Sequence, residues 1–290
     1  MASRVKTVII PAAGQGTRLL PATKSTPKEL LPVYDRPILQ FAIDEAVRTG
    51  AERIVVVTSP DKPGIERYLV PHHDLVRELS RKGKAELAGV MGDLCLPQGT
   101  EIVFARQDRP QGLGDAIVCA HPHVLPGAVG VILPDDVILG YPCLPQMAEH
   151  YCGGHMVAAM EVSEAETALY GIFALAGPAQ GDSIPAAGMV EKPARGQAPS
   201  RLAAVGRYIL DPVVFRTLGA IPFGAGGELQ LTDAIGVDAA TIPLTAFRFW
   251  GTRYDCGNHE GLFEASMARR MQVRSDAATA ASAPALIAAQ

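Results

Sequence analysis

Long apolar runs and paired cysteines are both missing from this sequence. None of its 290 residues lies in an uninterrupted apolar run of about eighteen, the length that a membrane-spanning helix needs. The first apolar run ends at Pro11, so it is too short for a signal peptide. The five cysteines are odd in number and form no C-x-x-C pair, which disfavours a disulfide framework. We therefore predict a cytoplasmic protein with reduced cysteines.

Excess positive charge is also lacking. The 26 lysines and arginines are outnumbered by 30 aspartates and glutamates, so the net charge is −4. This balance disfavours nucleic acid and anionic membranes as partners. Hydrophobic residues make up 48% of the chain, enough for a large buried core. Any positive charge needed to bind phosphates must therefore be concentrated in one place.

Several familiar catalytic motifs are absent. No G-x-x-x-x-G-K-[ST] string occurs, and the dinucleotide fingerprint G-x-G-x-x-G fails because Leu19 stands at its third glycine. No G-x-S-x-G elbow is present. His121 and His123 lack the spacing of a helical zinc pair. A P-loop NTPase, an NAD-dependent dehydrogenase, a serine hydrolase and a zinc enzyme are all disfavoured.

A glycine loop near the start of the chain is the strongest feature that is present. It follows an apolar run, Val5–Ile10, and contains small residues whose backbone can approach a ligand closely: Ala12, Ala13, Gly14 and Gly16. Arg18 and Lys28 come shortly afterwards. Exposed backbone N–H groups followed by fixed cations are what a polyphosphate requires. The loop therefore predicts a nucleoside triphosphate site.

The remaining pattern predicts an α/β fold. Most strand-like runs are continuously apolar, which suits strands buried on both faces of a largely parallel sheet. The predicted strands are Val5–Ile10, Arg53–Thr58, Glu101–Arg106, Val129–Leu133, His155–Val162, Gly171–Leu175, Ala203–Leu210 and Ile242–Phe249. A helix over Pro37–Arg48 between the first two completes a βαβ unit. The short links between the later strands predict a partly antiparallel extension.

Further helices are predicted in three places. The charged segment Ile65–Val90 is predicted to be helical with a break near Gly83, and Leu113–Ala120 and Glu260–Met271 are the other two. From Asp276 onward the sequence is rich in alanine, and we expect a frayed or weakly packed tail.

Carboxylates occur where ligands bind to α/β sheets. Asp135 and Asp136 close the apolar run VGVILPDD, and Asp255 lies in RYDCGN. Mg²⁺ bound to a triphosphate takes one or two protein carboxylates together with phosphate oxygens and water. Capping of a turn or helix is the alternative for the first two, and an Asx-turn is the alternative for Asp255. Mg²⁺ is the cofactor that these acids predict.

Two further strings contain polar residues suited to a nucleotide and a sugar. Gln107 and Gly112 lie in RQDRPQGLGDA, and a side-chain amide can match uracil as both donor and acceptor. Glu191 and Lys192 lie in VEKP. Neighbouring side chains on an extended segment point in opposite directions, so we expect more than a salt bridge between these two.

The string GxGTRxxPxTKxxPKExLPxxDxP, from Gly14 to Pro37, resembles the signature of the sugar-nucleotide pyrophosphorylases. These nucleotidyltransferases join a sugar 1-phosphate to an NTP. The resemblance runs from about Val5 to Met267. It implies a Rossmann-like three-layer α/β/α fold with a mixed, mostly parallel central sheet. One domain is expected over residues 1–275, with a nucleotide-binding part to about 135, a sugar-binding part from about 136, and a tail over 276–290.

The resemblance also implies substrates and residue roles. UTP and glucose 1-phosphate are the expected substrates; use of dTTP, or nucleotide-sugar binding without catalysis, is the alternative. Phosphates are expected on Arg18, Lys28 and Lys192, and Mg²⁺ on Asp135 with Asp255 as a second contact. The base is expected on Gln107 and Gly112, and the sugar on Asp136, Gly171, Glu191 and Gly206. The string GELQLTDAI (Glu228–Ile235) is expected to support the fold or a subunit contact. A homodimer or homotetramer is implied.

Overall fold

A computed structural model describes residues 5–93, 96 and 99–282, and these residues form thirteen strands and nine α-helices. The strands are β1 (Thr7–Pro11), β2 (Pro32–Val33), β3 (Arg36–Pro37), β4 (Arg53–Thr58), β5 (Glu101–Arg106), β6 (Val129–Ile132), β7 (Asp136–Leu139), β8 (His155–Glu161), β9 (Gly171–Leu175), β10 (Ser183–Glu191), β11 (Leu202–Leu210), β12 (Leu244–Arg248) and β13 (Thr252–Asp255). The helices are α1 (Ile38–Arg48), α2 (Pro63–Leu69), α3 (His73–Arg81), α4 (Ala85–Asp93), α5 (Leu113–Ala120), α6 (Cys143–His150), α7 (Val213–Leu218), α8 (Leu231–Asp238) and α9 (His259–Ser282).

Nine strands form one central sheet in the order β5-β4-β1-β6-β11-β8-β12-β10-β9. The first four strands are parallel, as is the β8–β12 pair. Strand β11 is antiparallel to both β6 and β8, and β10 is antiparallel to both β9 and β12. The sheet is mixed, as predicted. The prediction that most of its strand pairs are parallel is wrong. Of the antiparallel neighbours in this sheet, only β9 and β10 are consecutive strands joined by a short connection, and the others are distant in the sequence.

Two apolar cores cover the two faces of this sheet. Ile9 on β1 packs in a core with α5, α7 and α8, whereas its neighbours Val8 and Ile10 pack on the opposite face with α1 and α6. Successive side chains of a strand point to opposite faces, so an uninterrupted apolar run serves both cores. The three-layer α/β/α arrangement is confirmed.

The predicted central elements agree closely with the structure. Strands β4, β5 and β9 and helix α5 have the predicted bounds, and α1 begins one residue later, at Ile38. The segment Ile65–Val90 forms parts of three helices, α2 to α4. It breaks at Gly83, where φ is 71°, as predicted, and also after α2, near Pro71.

Five strands (β2, β3, β7, β10 and β13), three helices (α6, α7 and α8) and the length of the last helix were not predicted. Strand β10 contains Pro185, Gly188 and several alanines, so its apolar signal is weak. Strands β7 and β13 pair with each other outside the central sheet. Helix α9 extends to Ser282, well beyond Met271, so residues 276–282 are helical rather than a frayed tail. The cysteine at position 95 and the tail beyond 282 lie outside the described residues.

Cysteines 119, 143, 152 and 256 are free thiols. Among the described residues, no helix has the length and hydropathy needed to cross a bilayer.

Candidate active site

Two cavities open along the ends of the central strands and meet. The larger has a volume of about 630 Å³ and the smaller about 330 Å³. The larger cavity is lined by the loop after β1, by the segment before α5 and by Lys28. The smaller cavity is lined by residues from β9, β10, β11, α8 and β13. Both walls include Arg18, Leu113, Leu133, Asp135 and Glu228.

The glycine loop forms one wall of the larger cavity, where Ala13, Gly14 and Gly16 are exposed to the cavity. Gly16 has a φ of 67°, a left-handed conformation that favours glycine. A Cβ at this position would lie 3.3 Å from Lys28 Cβ. Ala12 is buried below the loop and is not among the residues that line the cavity.

Two cations and two carboxylates meet where the cavities join. Lys28 Nζ lies 2.5 Å from Asp135 Oδ2, and Arg18 lies 4.0 Å from the same oxygen. Arg18 Nη1 also lies 3.4 Å from Asp255 Oδ2. Residues 237 positions apart in sequence are therefore brought together by the fold.

The pairing between Lys28 and Asp135 changes the acidity of both groups. Burial would lower the pKa of Lys28, but the neighbouring Asp135 and Glu29 carboxylates outweigh it and hold that pKa above its usual value. Burial would raise the pKa of Asp135, but the Lys28 ammonium outweighs it and holds the pKa below its usual value. Both groups are therefore charged at neutral pH.

The two carboxylates face one point beside Gly257. A Cβ built on Gly257 would lie 2.9 Å from Asp255 Oδ1 and 3.0 Å from Asp135 Oδ2. The two oxygens are thus no more than about 6 Å apart, so small side-chain rotations bring both to one cation. A group of three or more protein ligands does not occur among the described residues. This donor set fits Mg²⁺, which takes few protein ligands when phosphates supply the rest.

Gln107 lies buried at the edge of the larger cavity. Its amide nitrogen donates to Gly112 O at 3.1 Å and to Asp115 Oδ2 at 2.7 Å. Both partners only accept, which fixes the orientation of the amide. The contact of this amide with a base stays a prediction. Its carbonyl oxygen is the end left to face a ligand.

Lys62 and Glu29 were missed by the sequence analysis and lie directly below the glycine loop. Lys62 Nζ donates to Ala12 O at 2.8 Å, to Gly14 O at 2.5 Å and to both Glu29 carboxylate oxygens, at 2.9 and 3.0 Å. Glu29 is fully buried. Glu29 follows the predicted Lys28 directly, but Lys62 carried no motif signal that would have identified it.

Asp136 lines the smaller cavity, as expected, with its oxygens already hydrogen-bonded. Oδ2 accepts from Gly206 N–H at 2.8 Å, and Oδ1 accepts from Arg253 Nε at 2.7 Å. Arg253 also donates to the Tyr170 hydroxyl at 3.0 Å. Burial raises the pKa of Asp136 despite the neighbouring Arg253. Asp136 thus holds Arg253 and the Gly206 backbone in place, and its contact with a sugar stays a prediction.

Glu191 and Lys192 are arranged differently from the expectation. Lys192 adopts a left-handed conformation with φ 43°, so the extended geometry that would separate the two side chains ends at Glu191. Lys192 Nζ lies 3.5 Å from Glu191 Oε1. The prediction that the two side chains point apart is wrong. Both nevertheless line the smaller cavity.

The GELQLTDAI segment also contributes to the site, which the sequence analysis did not predict. Glu228 lines both cavities, and Thr232 lines the smaller one. Thr232 Oγ1 donates to Glu191 Oε2 at 2.9 Å. Gly171 allows this packing, because a Cβ there would lie 2.9 Å from Thr232 Cγ2 and 3.1 Å from Glu191 Oε2. The segment supports the cavity wall directly.

Gly206 lies on β11, deep in the smaller cavity. A Cβ there would lie 2.6 Å from Asp136 Oδ2 and 2.7 Å from Leu133 Cβ, so only glycine fits. The next residue, Arg207, points away and pairs with Glu45 of α1 at 2.9 Å. Among the neighbours of this glycine on β11, Val205 and Tyr208 line the cavity and Arg207 does not.

The fold and the paired cavities define a nucleotide-dependent transferase, and the sequence comparison agrees. Residues 7–272 match the family described as Nucleotidyl transferase. Because this match spans most of the chain, the protein belongs to the nucleotidyl transferase family.

Individual relatives show which members of this family the chain is similar to. The chain is 39% identical over 272 residues to UTP–glucose-1-phosphate uridylyltransferase of Escherichia coli (strain K12), covering 91% of this chain and 89% of the relative. A UDP-glucose pyrophosphorylase complexed with UDP-glucose superposes with a TM-score of 0.81 at 34% identity, covering 92% of this chain and 99% of that one. A UTP-bound UDP-glucose pyrophosphorylase from Acinetobacter baumannii gives a TM-score of 0.83 at 35% identity, covering 91% and 93%.

Proposed function

We propose that this protein joins UTP to glucose 1-phosphate and releases UDP-glucose and pyrophosphate. The observation that carries the proposal is the meeting of the two cavities at Arg18 and Asp135. A transfer reaction needs both substrates in contact at one point. The relatives described above support the choice of UTP and glucose 1-phosphate.

The larger cavity takes the nucleotide and the smaller one takes the sugar phosphate. Except for Glu228, every lining residue of the larger cavity lies within the first 135 residues. Most lining residues of the smaller cavity follow position 135. This supports one domain over residues 1–275 with two functional parts that divide near position 135. Residues 276–278 line neither cavity.

On the nucleotide side, the loop backbone and two cations bind the triphosphate. Arg18 meets the pyrophosphate moiety and Lys28 the α-phosphate region, because charge-assisted hydrogen bonds to phosphate are the strongest kind available here. The Gln107 carbonyl accepts the N3–H of uracil. Gly112 provides a backbone contact next to it.

On the sugar side, Lys192 meets the phosphate and Glu191 accepts hydrogen bonds from the hydroxyl groups. Thr232 orients Glu191 for this role. Gly171 and Gly206 leave room for the hexose ring, since a side chain at either position would collide with the cavity wall.

The reaction is an in-line attack of a sugar-phosphate oxygen on the α-phosphorus of UTP. A phosphate monoester has a second pKa of about 6, so the nucleophile is already largely dianionic at neutral pH. No general base is needed, and no histidine lines either cavity within the described part of the chain. Catalysis rests on positioning two anions and stabilising the charge on the leaving pyrophosphate.

Asp135 and Asp255 would hold Mg²⁺ at the point beside Gly257. When bound there, Mg²⁺ would neutralise phosphate charge as a Lewis acid. Lys28 and Arg18 are paired with these carboxylates. Both cations therefore lie beside the junction of the cavities, within reach of phosphate oxygens.

Two properties outside the site are also proposed. A homodimer or homotetramer is supported by exposed apolar side chains at four-residue spacing along α9, at Phe263, Met267 and Met271. A cytoplasmic location is supported by the four described cysteines, which are free thiols.

The proposed reaction is tested by pyrophosphate release with Mg²⁺ and glucose 1-phosphate, comparing UTP, dTTP, CTP, ATP and GTP. Strong preference for UTP is expected. Preference for dTTP would make the protein a thymidylyltransferase, since the two bases differ by one methyl group. Silence with every triphosphate, in a folded protein that binds nucleotide, would favour a non-catalytic binding role and contradict the proposal.

A further inference from the structure

A buried ammonium group connects three separate segments below the nucleotide cavity. Lys62 follows β4, and its Nζ lies within 3.0 Å of four oxygen atoms. Two are the carbonyls of Ala12 and Gly14 in the glycine loop. The other two belong to Glu29, which lies in the 3₁₀ turn Lys28–Leu30. The loop, the turn and the segment after β4 therefore share one anchor point.

We propose that Lys62 and Glu29 are positioning residues that hold the glycine loop and Lys28 in the arrangement that binds a triphosphate. This inference rests on the proposed nucleotide site. Lys62 does not line the larger cavity, and Glu29 lines it with both carboxylate oxygens held by Lys62. Lys62 contacts the loop from below, while Ala13, Gly14 and Gln15 face the larger cavity.

The geometry of the peptide bond gives the anchor its effect. In a trans peptide the C=O and the following N–H point in opposite directions. Holding Ala12 O and Gly14 O against Lys62 therefore directs the N–H groups of Ala13 and Gln15 away from Lys62, towards the cavity. Backbone N–H groups that face one side form an anion-binding concavity. Without the anchor, the loop would be free to rotate these donors away from the phosphates.

Glu29 extends the anchor to the neighbouring cation. Its carboxylate is fully buried, and Lys28 precedes it directly in the chain. The same ammonium that holds the loop thus fixes the turn from which Lys28 reaches Asp135. Burial raises the pKa of Glu29 and lowers that of Lys62, so each charge depends on the other.

The test must separate binding from stability, because removing one partner leaves an uncompensated buried charge. We suggest Lys62→Met and the double variant Lys62→Met/Glu29→Met, which removes both charges and keeps apolar side chains of similar length. Asp238→Asn is the matched control. Asp238 is buried and accepts from His155 at 3.0 Å, but it lines neither cavity.

Three quantities are measured under conditions where every variant is folded. They are the melting temperature, the Kd for UTP by calorimetry with Mg²⁺ and no sugar phosphate, and the KM for each substrate. We expect the double variant to regain melting temperature relative to Lys62→Met while its Kd for UTP stays about tenfold or more above wild type. The KM for glucose 1-phosphate should stay within about twofold of wild type. Asp238→Asn should melt earlier with an unchanged Kd for UTP.

Recovery of UTP affinity together with melting temperature in the double variant would show a purely structural pair and overturn the inference. If the double variant does not fold, Lys62→Gln serves instead. Its amide is uncharged and its side chain is one bond shorter, so it holds the two carbonyls less firmly and UTP binding should weaken about threefold or more. An unchanged Kd would overturn the inference. Failure of the wild-type protein to bind UTP would instead contradict the proposed function itself.

Discussion

The two cavities differ in how the chain builds them. The wall of the larger cavity takes much of its surface from one short stretch, residues 11–18, to which Lys28 and Glu29 add. The wall of the smaller cavity is assembled from strands β9, β10, β11 and β13 and helix α8. A phosphate site can be made locally from backbone N–H groups and nearby cations. A sugar needs acceptors and donors around a ring, and only a folded sheet brings these together.

The polar groups of the two walls also differ. At the larger cavity, Arg18 and Lys28 stand beside a loop that offers backbone donors, and three carboxylates complete the wall. The smaller cavity mixes the cations Lys192 and Arg253 with several carboxylates, among them Glu191. Cations and N–H donors match phosphate oxygens, whereas carboxylates match hydroxyl donors. Asp135, at the junction, lines both cavities.

The largest effect is expected at that junction. Asp135→Asn should lower kcat/KM by about 10²-fold or more, because the variant loses both the partner of Lys28 and one carboxylate suited to Mg²⁺. Circular dichroism should show an intact fold. Asp74→Asn is the control, since Asp74 is an exposed carboxylate of α3 that lines neither cavity. Near-normal turnover by Asp135→Asn would contradict the assignment of Asp135 as a ligand of Mg²⁺.

Substitutions of two lysines test the assignment of the larger cavity to the nucleotide and of the smaller cavity to the sugar phosphate. Lys28→Met should raise mainly the KM for UTP, and Lys192→Met mainly the KM for glucose 1-phosphate. A charge-assisted hydrogen bond contributes about 1.5–3 kcal/mol, which corresponds to roughly a 10- to 100-fold change. Lys192 is the more exposed of the two, so its effect should be the smaller. An effect of Lys192→Met confined to UTP would contradict the division.

Substitutions of two glycines test whether the two cavity walls differ in how tightly they are packed. Gly206→Ala should lower the free energy of unfolding by about 1–3 kcal/mol, because its Cβ would lie 2.6 Å from Asp136 Oδ2. Gly14→Ala should leave stability nearly unchanged, since no atom lies within 4 Å of a Cβ there, yet it should weaken UTP binding. Chemical denaturation and calorimetry measure both. Equal destabilisation by the two substitutions would count against the difference between a packed and an open wall.

The smallest effect concerns pH. His155 on β8 is buried outside both cavities, and burial lowers its pKa below the ordinary value of 6.5 although Asp238 opposes this. The neutral form is favoured in the folded state, so its contribution to stability is complete above pH 6.5 and is lost as pH falls. The contribution of His155 to stability should decline below this pH by less than about 1.4 kcal/mol per pH unit. His155→Gln should reduce that decline, and an unchanged slope would contradict it.

The sequence predicted the parallel core well for a definite reason. Strands β4 and β5 and helix α5 carry strong apolar runs between clear turn signals, and their bounds were correct. Strand β10 was missed because its alanines, glycine and proline give little apolar contrast. It pairs with β9 and β12, so its extended form depends on partners distant in the chain.

Prediction of the site from the sequence was limited in the same way. The strings around Arg18, Lys28 and Asp135 predicted that these residues act together, and the structure brings them into contact. Arg253 and Lys62 were not identified, since each becomes important only through partners on other segments.

By itself, the sequence determined the βαβ core, the glycine loop and the types of side chain that can bind phosphates, because these depend on local pattern and composition. Only the tertiary structure decided the rest. It placed Asp255 beside Arg18, turned Lys192 towards Glu191 and put Lys62 beneath the loop. The contacts of Asp255 and Lys62 join residues far apart in the chain, and their geometry is set by sheet order and packing rather than by any local preference.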